Sequence, residues 1–172
     1  NDATRDIGYT DMPEYTAGLN TGFSWKNFDF SMQWTGAWNV DRMLSEFRRP
    51  LGDTNSKALL LYQYETTWRS SEDTFTAKFP RASNSHASNN YRGTDLYLIN
   101  ASYLRLKNVE IGYNFDFPFM KKMKLDNCRL YINGYNLLTI TGFDWGDPES
   151  RQSDRPNYPL TRVFNIGLKV GF

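Results

Sequence analysis

The chain has 172 residues, 16% of them aromatic, a net charge of +1 and a mean hydropathy of −0.65. One domain is the default expectation at this length. A near-neutral charge with no Lys/Arg-rich run gives no basis for nucleic-acid binding, and the lack of any run of about 18 apolar residues excludes a helical membrane span.

Many aromatics in a polar chain suit an all-β protein whose apolar residues fall on alternate positions. A transmembrane β-barrel stays permitted, because its signal per strand is weak. Cys128 is the only cysteine, so no internal disulfide can form. Asn1–Asp2–Ala3–Thr4 has neither a basic segment nor an apolar one. An exported protein with this beginning has lost its N-terminus, or the chain is a fragment.

Asn1–Pro13 reads as a loop, with Gly8 and Pro13 as its breakers. Tyr15–Trp25 then alternates, with Tyr15, Ala17, Leu19, Thr21, Phe23 and Trp25 against Thr16, Gly18, Asn20, Gly22 and Ser24. Lys26–Asn27 marks a two-residue turn. Phe28–Val40 alternates again, with Phe28, Phe30, Met32, Trp34, Gly36, Trp38 and Val40 on one side. Two alternating runs joined by a short turn predict a β-hairpin with one apolar face. From Phe28 to Trp38 the strand runs roughly 33 Å. At a tilt of about 40° that is roughly 25 Å of height, the thickness of an outer-membrane apolar band. Phe28 and Phe30 at one end and Trp34 and Trp38 at the other stand where interfacial aromatic girdles stand.

Asp41–Ser102 reads as mostly not strand. Met43–Arg49 and Asn55–Trp68 carry local helical potential, with Leu59, Leu60, Leu61, Tyr62 and Tyr64 as candidate packing residues. Asn84–Asn90 is polar, of low complexity, and expected to be mobile. A structureless connection this long counts against a compact soluble domain, whereas a barrel carries such loops on its outer side.

Tyr103–Phe115 is the third predicted strand. Val109, Ile111, Tyr113 and Phe115 share a face, but Leu104 and Leu106 have the opposite parity. Either a bulge near Lys107–Asn108 switches the faces, or the two leucines pack inward. Pro118–Asn127 is a connector. Arg129–Ile140 is the fourth strand, with Leu130, Ile132, Gly134 and Leu138 outward. Thr141–Leu160 is a loop, and Arg162–Phe172 closes the chain with Phe164, Ile166, Leu168, Val170 and Phe172 on one face.

The connections run two residues, about sixty, about ten and about twenty, the short–long alternation of an outer-membrane barrel. On that frame Trp25–Phe28 and Pro118–Asn127 are periplasmic, and Asn1–Pro13, Asp41–Ser102 and Thr141–Leu160 are extracellular. Five strands are too few to close a barrel, which takes about eight. An open sheet in lipid leaves edge groups unsatisfied. The chain is therefore the end of a larger barrel, or the membrane reading fails.

Single residues offer little chemistry. His86, the only histidine, lies in the Ser/Asn-rich loop, and Cys128 has no partner motif. Asp144, Asp147, Glu149 and Asp154 gather with Trp145 in the last loop. Asp144, Trp145 and Asp147 are candidate substrate contacts, and the acids are a candidate calcium site without EF-hand spacing. Phe28, Phe30, Trp34, Trp38, Phe164 and Phe172 are assigned to the lipid-facing girdle. Arg162 is placed to snorkel to lipid phosphates. Lys169 should face the lumen, since a lysine at mid-bilayer on the lipid face costs about 2–4 kcal/mol. No catalytic constellation, no resident metal and no cofactor is expected.

Several segments together resemble a known family. Ser102–Tyr113, SYLRLKNVEIGY, resembles a signature near the end of SusC/RagA-type TonB-dependent transporters. Leu130–Thr141, Gly142–Glu149 (GFDWGDPE) and Tyr158–Phe172 (YPLTRVFNIGLKVGF) resemble its later motifs in order. Gly18–Phe30 resembles its GLN…KNFD hairpin, and Thr67–Trp68 with Phe79–Pro80–Arg81 its W…PR loop. The likeness covers nearly the whole chain. It implies the last five strands of a twenty-two-stranded, plugged barrel crossing the Gram-negative outer membrane many times, with the plug and earlier strands absent. It also implies import of oligosaccharides or peptides, a SusD-like surface lipoprotein as lid, energy from TonB acting on the plug, and a wall set in outer-membrane lipids. The rival readings are a soluble β-sandwich carbohydrate-binding module and an outer-membrane barrel enzyme. The lack of a His-centred constellation speaks against the enzyme.

Overall fold

Alternation of side chains sets the described backbone into seven strands. The computed structural model describes residues 8–44, 61–73, 76–83, 90, 92–116, 118, 125–150 and 160–171. The strands are β1 (Tyr15–Trp25), β2 (Phe28–Trp38), β3 (Asp41–Met43), β4 (Leu98–Asn100), β5 (Tyr103–Phe115), β6 (Asn127–Thr141) and β7 (Val163–Gly171), with a short helix α1 (Leu61–Thr66) between β3 and β4. β1, β2, β5, β6 and β7 form one antiparallel sheet in that order, and β3 pairs with β4 in a second. This is the expected all-β sheet of a barrel wall, and it is not closed among the described residues.

The predicted hairpin forms in register from Tyr15↔Trp38 to Trp25↔Phe28. β2 stops at Trp38, two residues before the predicted Val40. Asn39 adopts φ +55°, and this turns Val40 away from the sheet into a separate core.

The bulge reading of the third strand holds, and the inward-leucine alternative does not. β5 pairs Asn108 with Gln33 and Leu106 with Trp34, leaving Lys107 as an extra residue. The parity switch puts Leu104 and Leu106 beside Trp34 and Gly36, on the face of Val109, Ile111 and Tyr113. β6 takes up one further residue at the same height, pairing Tyr135 with Asn108 and Leu138 with Leu106. Asn136 in this step adopts φ +54°. Extra residues on successive strands raise the local twist and bend of a sheet.

One face of the sheet is therefore apolar from edge to edge. Leu19, Phe23, Trp25, Phe28, Ile111, Ile132, Ile140 and Leu168 are exposed on it, with Phe164 at 70% and Ile166 at 73% exposure. No second sheet covers it among the described residues, where a β-sandwich would pack one on this face. A face of this extent bare to water is foreign to a soluble monomer.

The long connection is not structureless. Val40, Leu44, Phe79, Tyr97, Ala101 and Phe143 form a buried cluster, with Met43, Ile99 and Trp145 packed against it. Phe79 and Tyr97 stack at 5.7 Å. Val40 accepts a backbone bond from Ala101 at 2.8 Å, and Tyr97 accepts one from Leu44 at 2.8 Å. The β3–β4 pair and this cluster form a small deck at the long-loop end of the sheet. Met43, expected to begin a helix, ends β3 instead, Leu44 joins the buried cluster, and 45–49 lie outside the described residues. α1 falls within the predicted Asn55–Trp68 segment. Leu61 and Tyr64 are exposed on it rather than packed. Leu59 and Leu60 lie outside the described residues.

Candidate functional site: the polar face and its outer anchor

The face opposite the apolar one carries Asp29, Ser31, Gln33 and Thr35 on β2, Glu110 and Asn108 on β5, Arg129, Tyr131 and Asn133 on β6, and Asn165 and Lys169 on β7. Near the short-turn end these side chains join across four strands. Arg129 Nε donates to Asp29 Oδ1 at 3.1 Å, and Arg129 Nη2 donates to Asp29 Oδ2 and, at 2.7 Å, to Glu110 Oε1. Asn133 donates to Glu110 at 3.4 Å, and Asn165 donates to Asn133 at 2.9 Å. Asn114 donates to Asp29 at 3.0 Å.

Arg129 reaches β2 only because β5 has no side chain in its path. A Cβ on Gly112 would lie 2.5 Å from Asp29 Oδ2 and 2.6 Å from Arg129 Nε. The Arg129 guanidinium also lies 5.2 Å from the Tyr131 ring. Each charge of the trio is about three-quarters buried, so the bidentate bond to Asp29 and the ion pair to Glu110 hold Arg129 on the sheet. Lys169 pairs in register with Arg129 and stands on this polar face, as its charge requires.

At the long-loop end a second arginine anchors the deck. Arg105 is 2% exposed. It donates to Asp147 Oδ1 at 2.8 Å, to Glu149 Oε2 at 2.8 Å and to Thr139 Oγ1 at 3.1 Å. Asp147 Oδ1 also accepts from the Glu149 backbone amide at 2.8 Å. Arg42 on β3 donates to the carbonyls of Ser150 at 2.9 Å, of Pro148 at 3.3 Å, and of Asp11. The two arginines thus bind the Asp147–Ser150 loop to both the sheet and the deck.

Of the candidate substrate contacts, Asp144 is exposed and Trp145 rests against the deck core. Asp147 is committed to Arg105. Asp154 and His86 lie outside the described residues. Among the described residues no three of His, Cys, Asp and Glu are placed to hold a metal ion. Cys128 is half-buried and pairs with Phe115 and Val170 on the apolar side. Phe28, Trp38 and Phe164 are exposed on the apolar face, Phe30 and Trp34 are half-buried on it, and Phe172 lies outside the described residues. Phe28 meets Tyr113 edge-on at 4.7 Å, and Tyr113 meets Phe115 at 4.9 Å. Sequence reasoning missed Arg42, Arg105 and Arg129. For Arg129 the available signal was an arginine on the polar parity of a strand, with acids on the same parity of nearby strands, whereas Arg105 meets acids of the last loop and Arg42 meets backbone carbonyls, which no strand pattern marks.

No family model matches the sequence. TonB-dependent receptor P3 of Formosa agariphila is 30% identical over 187 residues, covering 99% of this chain and 17% of the receptor. TonB-dependent receptor P26 of the same organism is 27% identical over 181 residues, covering 94% of this chain and 17% of that receptor. The chain spans about a sixth of the length of these curated relatives. The RagAB peptide importer in its closed-closed state superimposes with a TM-score of 0.71, and in its open-open state with 0.68. Each is 21% identical and covers 95% of this chain and 18% of the importer chain. At that identity the likeness shows the fold.

Proposed function

We propose that this chain, similar in sequence to TonB-dependent receptors and in fold to the RagAB importer, forms part of the wall and outer loops of an outer-membrane importer of the SusC/RagA type. The observation that carries this is the two-sidedness of one uncovered sheet. Its apolar face meets lipid, with aromatics at both ends, and its polar face meets the lumen with its charges tied to one another. Phe28, Phe30, Trp34, Trp38, Phe164 and Phe172 supply the girdle. Arg162 lies at the outer rim of the apolar face, where it reaches lipid phosphates.

In this reading the complete barrel crosses the outer membrane many times and encloses a plug that TonB acts on. A SusD-like lipoprotein covers the outer mouth, and the cargo is an oligosaccharide or a peptide. The deck, held by Arg42 and Arg105, presents the loops that face cargo and lid, including Asp144 and Trp145. The wall works by binding and passage, with no bond made or broken.

The test is made on the complete protein in its own cell. The reading expects it in the detergent-extracted outer-membrane fraction, bound to a surface lipoprotein, with cargo uptake lost when TonB is removed. A water-soluble protein, or uptake indifferent to TonB, would overturn it.

A further inference from the structure

The tip of the β1–β2 hairpin holds a lysine where glycine would be unstrained. Lys26 adopts φ +53°, a left-handed conformation that costs a residue with a Cβ. Its ammonium leans over the Trp25 ring, 5.0 Å from the centroid. Trp25 is 64% exposed and stands on the apolar face, opposite Phe28. The cation is thereby drawn towards the lipid side of the wall and away from the polar face. It has no carboxylate partner among the described residues. On the same rim of the sheet Phe28, Tyr113 and Phe115 meet one another edge to face.

The turn itself is fixed. Asn27 donates to the Asn114 carbonyl at 2.8 Å, and Asn114 donates its backbone amide to the Asn27 carbonyl at 2.8 Å. Tip position is therefore set by the end of β5 and not by Lys26. The lysine is exposed, strains the turn and forms no ion pair among the described residues, so its ammonium stands over the Trp25 ring with its charge open to a ligand. A tryptophan at the apolar–polar boundary with an ammonium over its ring offers a flat apolar seat and an unneutralised cation side by side. Those are the two features of a phospholipid at headgroup depth, its glycerol and upper acyl carbons beside its phosphate.

We propose that Trp25 and Lys26 form a binding site for the headgroup phosphate of an anionic membrane phospholipid at the short-turn rim. The site rests on the membrane reading above and names a ligand within it. A phosphate oxygen accepts from the Lys26 ammonium while the indole keeps the ammonium over the apolar rim. Loss of one lysine near an anionic surface weakens binding by about fivefold.

The test uses the complete protein, purified in detergent, stripped of lipid, and titrated with phosphatidylglycerol under native mass spectrometry. Lys26→Gly removes the cation and relieves the turn, so thermal stability should hold while affinity for the first bound lipid falls about fivefold. Trp25→Ala should lower the same affinity. Lys169→Gln removes an equal charge from the polar face and should leave lipid binding unchanged. Equal loss in Lys26→Gly and Lys169→Gln would reduce the effect to net charge and overturn the site. Unchanged binding in Lys26→Gly would overturn it as well, as would a loss of stability that shows the lysine to be structural. A wild-type protein that stays soluble without detergent would instead overturn the membrane reading.

Discussion

Arg105→Met tests how the outer loop is held. The substitution keeps most of the side-chain length and removes the guanidinium. Asp147, at 12% side-chain exposure, then loses a charge-assisted bond while nearly buried, a loss of about 1.5–3 kcal/mol. The Thr139 bond adds about 1 kcal/mol. Glu149 is 43% exposed, so water screens its bond to no more than about 1 kcal/mol. The sum, about 3–5 kcal/mol, matches the usual cost of removing one member of a buried pair. Asp147 keeps the Glu149 amide and recovers some water, so a net of about 3 kcal/mol is the working figure, or about a hundredfold in local opening. The assay is hydrogen exchange in the complete protein at the amides of Phe143 and Glu149, which donate to Thr141 Oγ1 and Asp147 Oδ1. Arg105→Met should raise their exchange about a hundredfold, Asp147→Asn somewhat less, and Glu149→Gln less than about fivefold. Unchanged exchange in Arg105→Met, or a larger effect from Glu149→Gln than from Asp147→Asn, would refute the clamp.

Gly112→Ala forces a Cβ between Arg129 and Asp29 and should cost about 1–3 kcal/mol, read as a lower unfolding temperature of the detergent-solubilised barrel. Deleting Lys107 removes the bulge and inverts the parity of 103–106, which sends Arg105 to the apolar face. Barrel assembly, followed by heat-modifiable migration on gels, should fail, whereas Lys107→Ala should assemble normally. Ile166→Lys should lose about 2–4 kcal/mol of stability and Asn165→Lys far less, because only the first places a charge in hydrocarbon.

The sheet was legible because β1, β2, β6 and β7 each keep a two-residue period over nine or more residues and β5 keeps one from Asn108 to Phe115. β1 and β5 occupy the predicted bounds, and even the bulge at Lys107 announced itself as a parity break at Leu106. The deck was not legible. Val40, Phe79, Tyr97 and Phe143 come from four distant stretches with no shared period, so only the tertiary fold brings them together. The polar ties were hidden for a related reason. Arg105 and Asp147, or Arg129 and Asp29, become partners through strand order, and Gly112 has meaning only once β2 and β6 flank β5. The acids of the last loop suggested a ligand site, while Asp147 and Glu149 in fact neutralise an arginine of the wall.

The central claim is that hydrocarbon touches one face of this sheet and water or protein the other. Nitroxide labels at Ile166 and Asn165, adjacent on β7 with opposite parity, test it in the complete protein reconstituted in bilayers. The account predicts that Ile166 is relaxed by dissolved oxygen and shielded from a water-soluble nickel chelate, with the oxygen effect absent at Asn165. A label at Ile166 as open to the nickel chelate as one on a surface loop would contradict it.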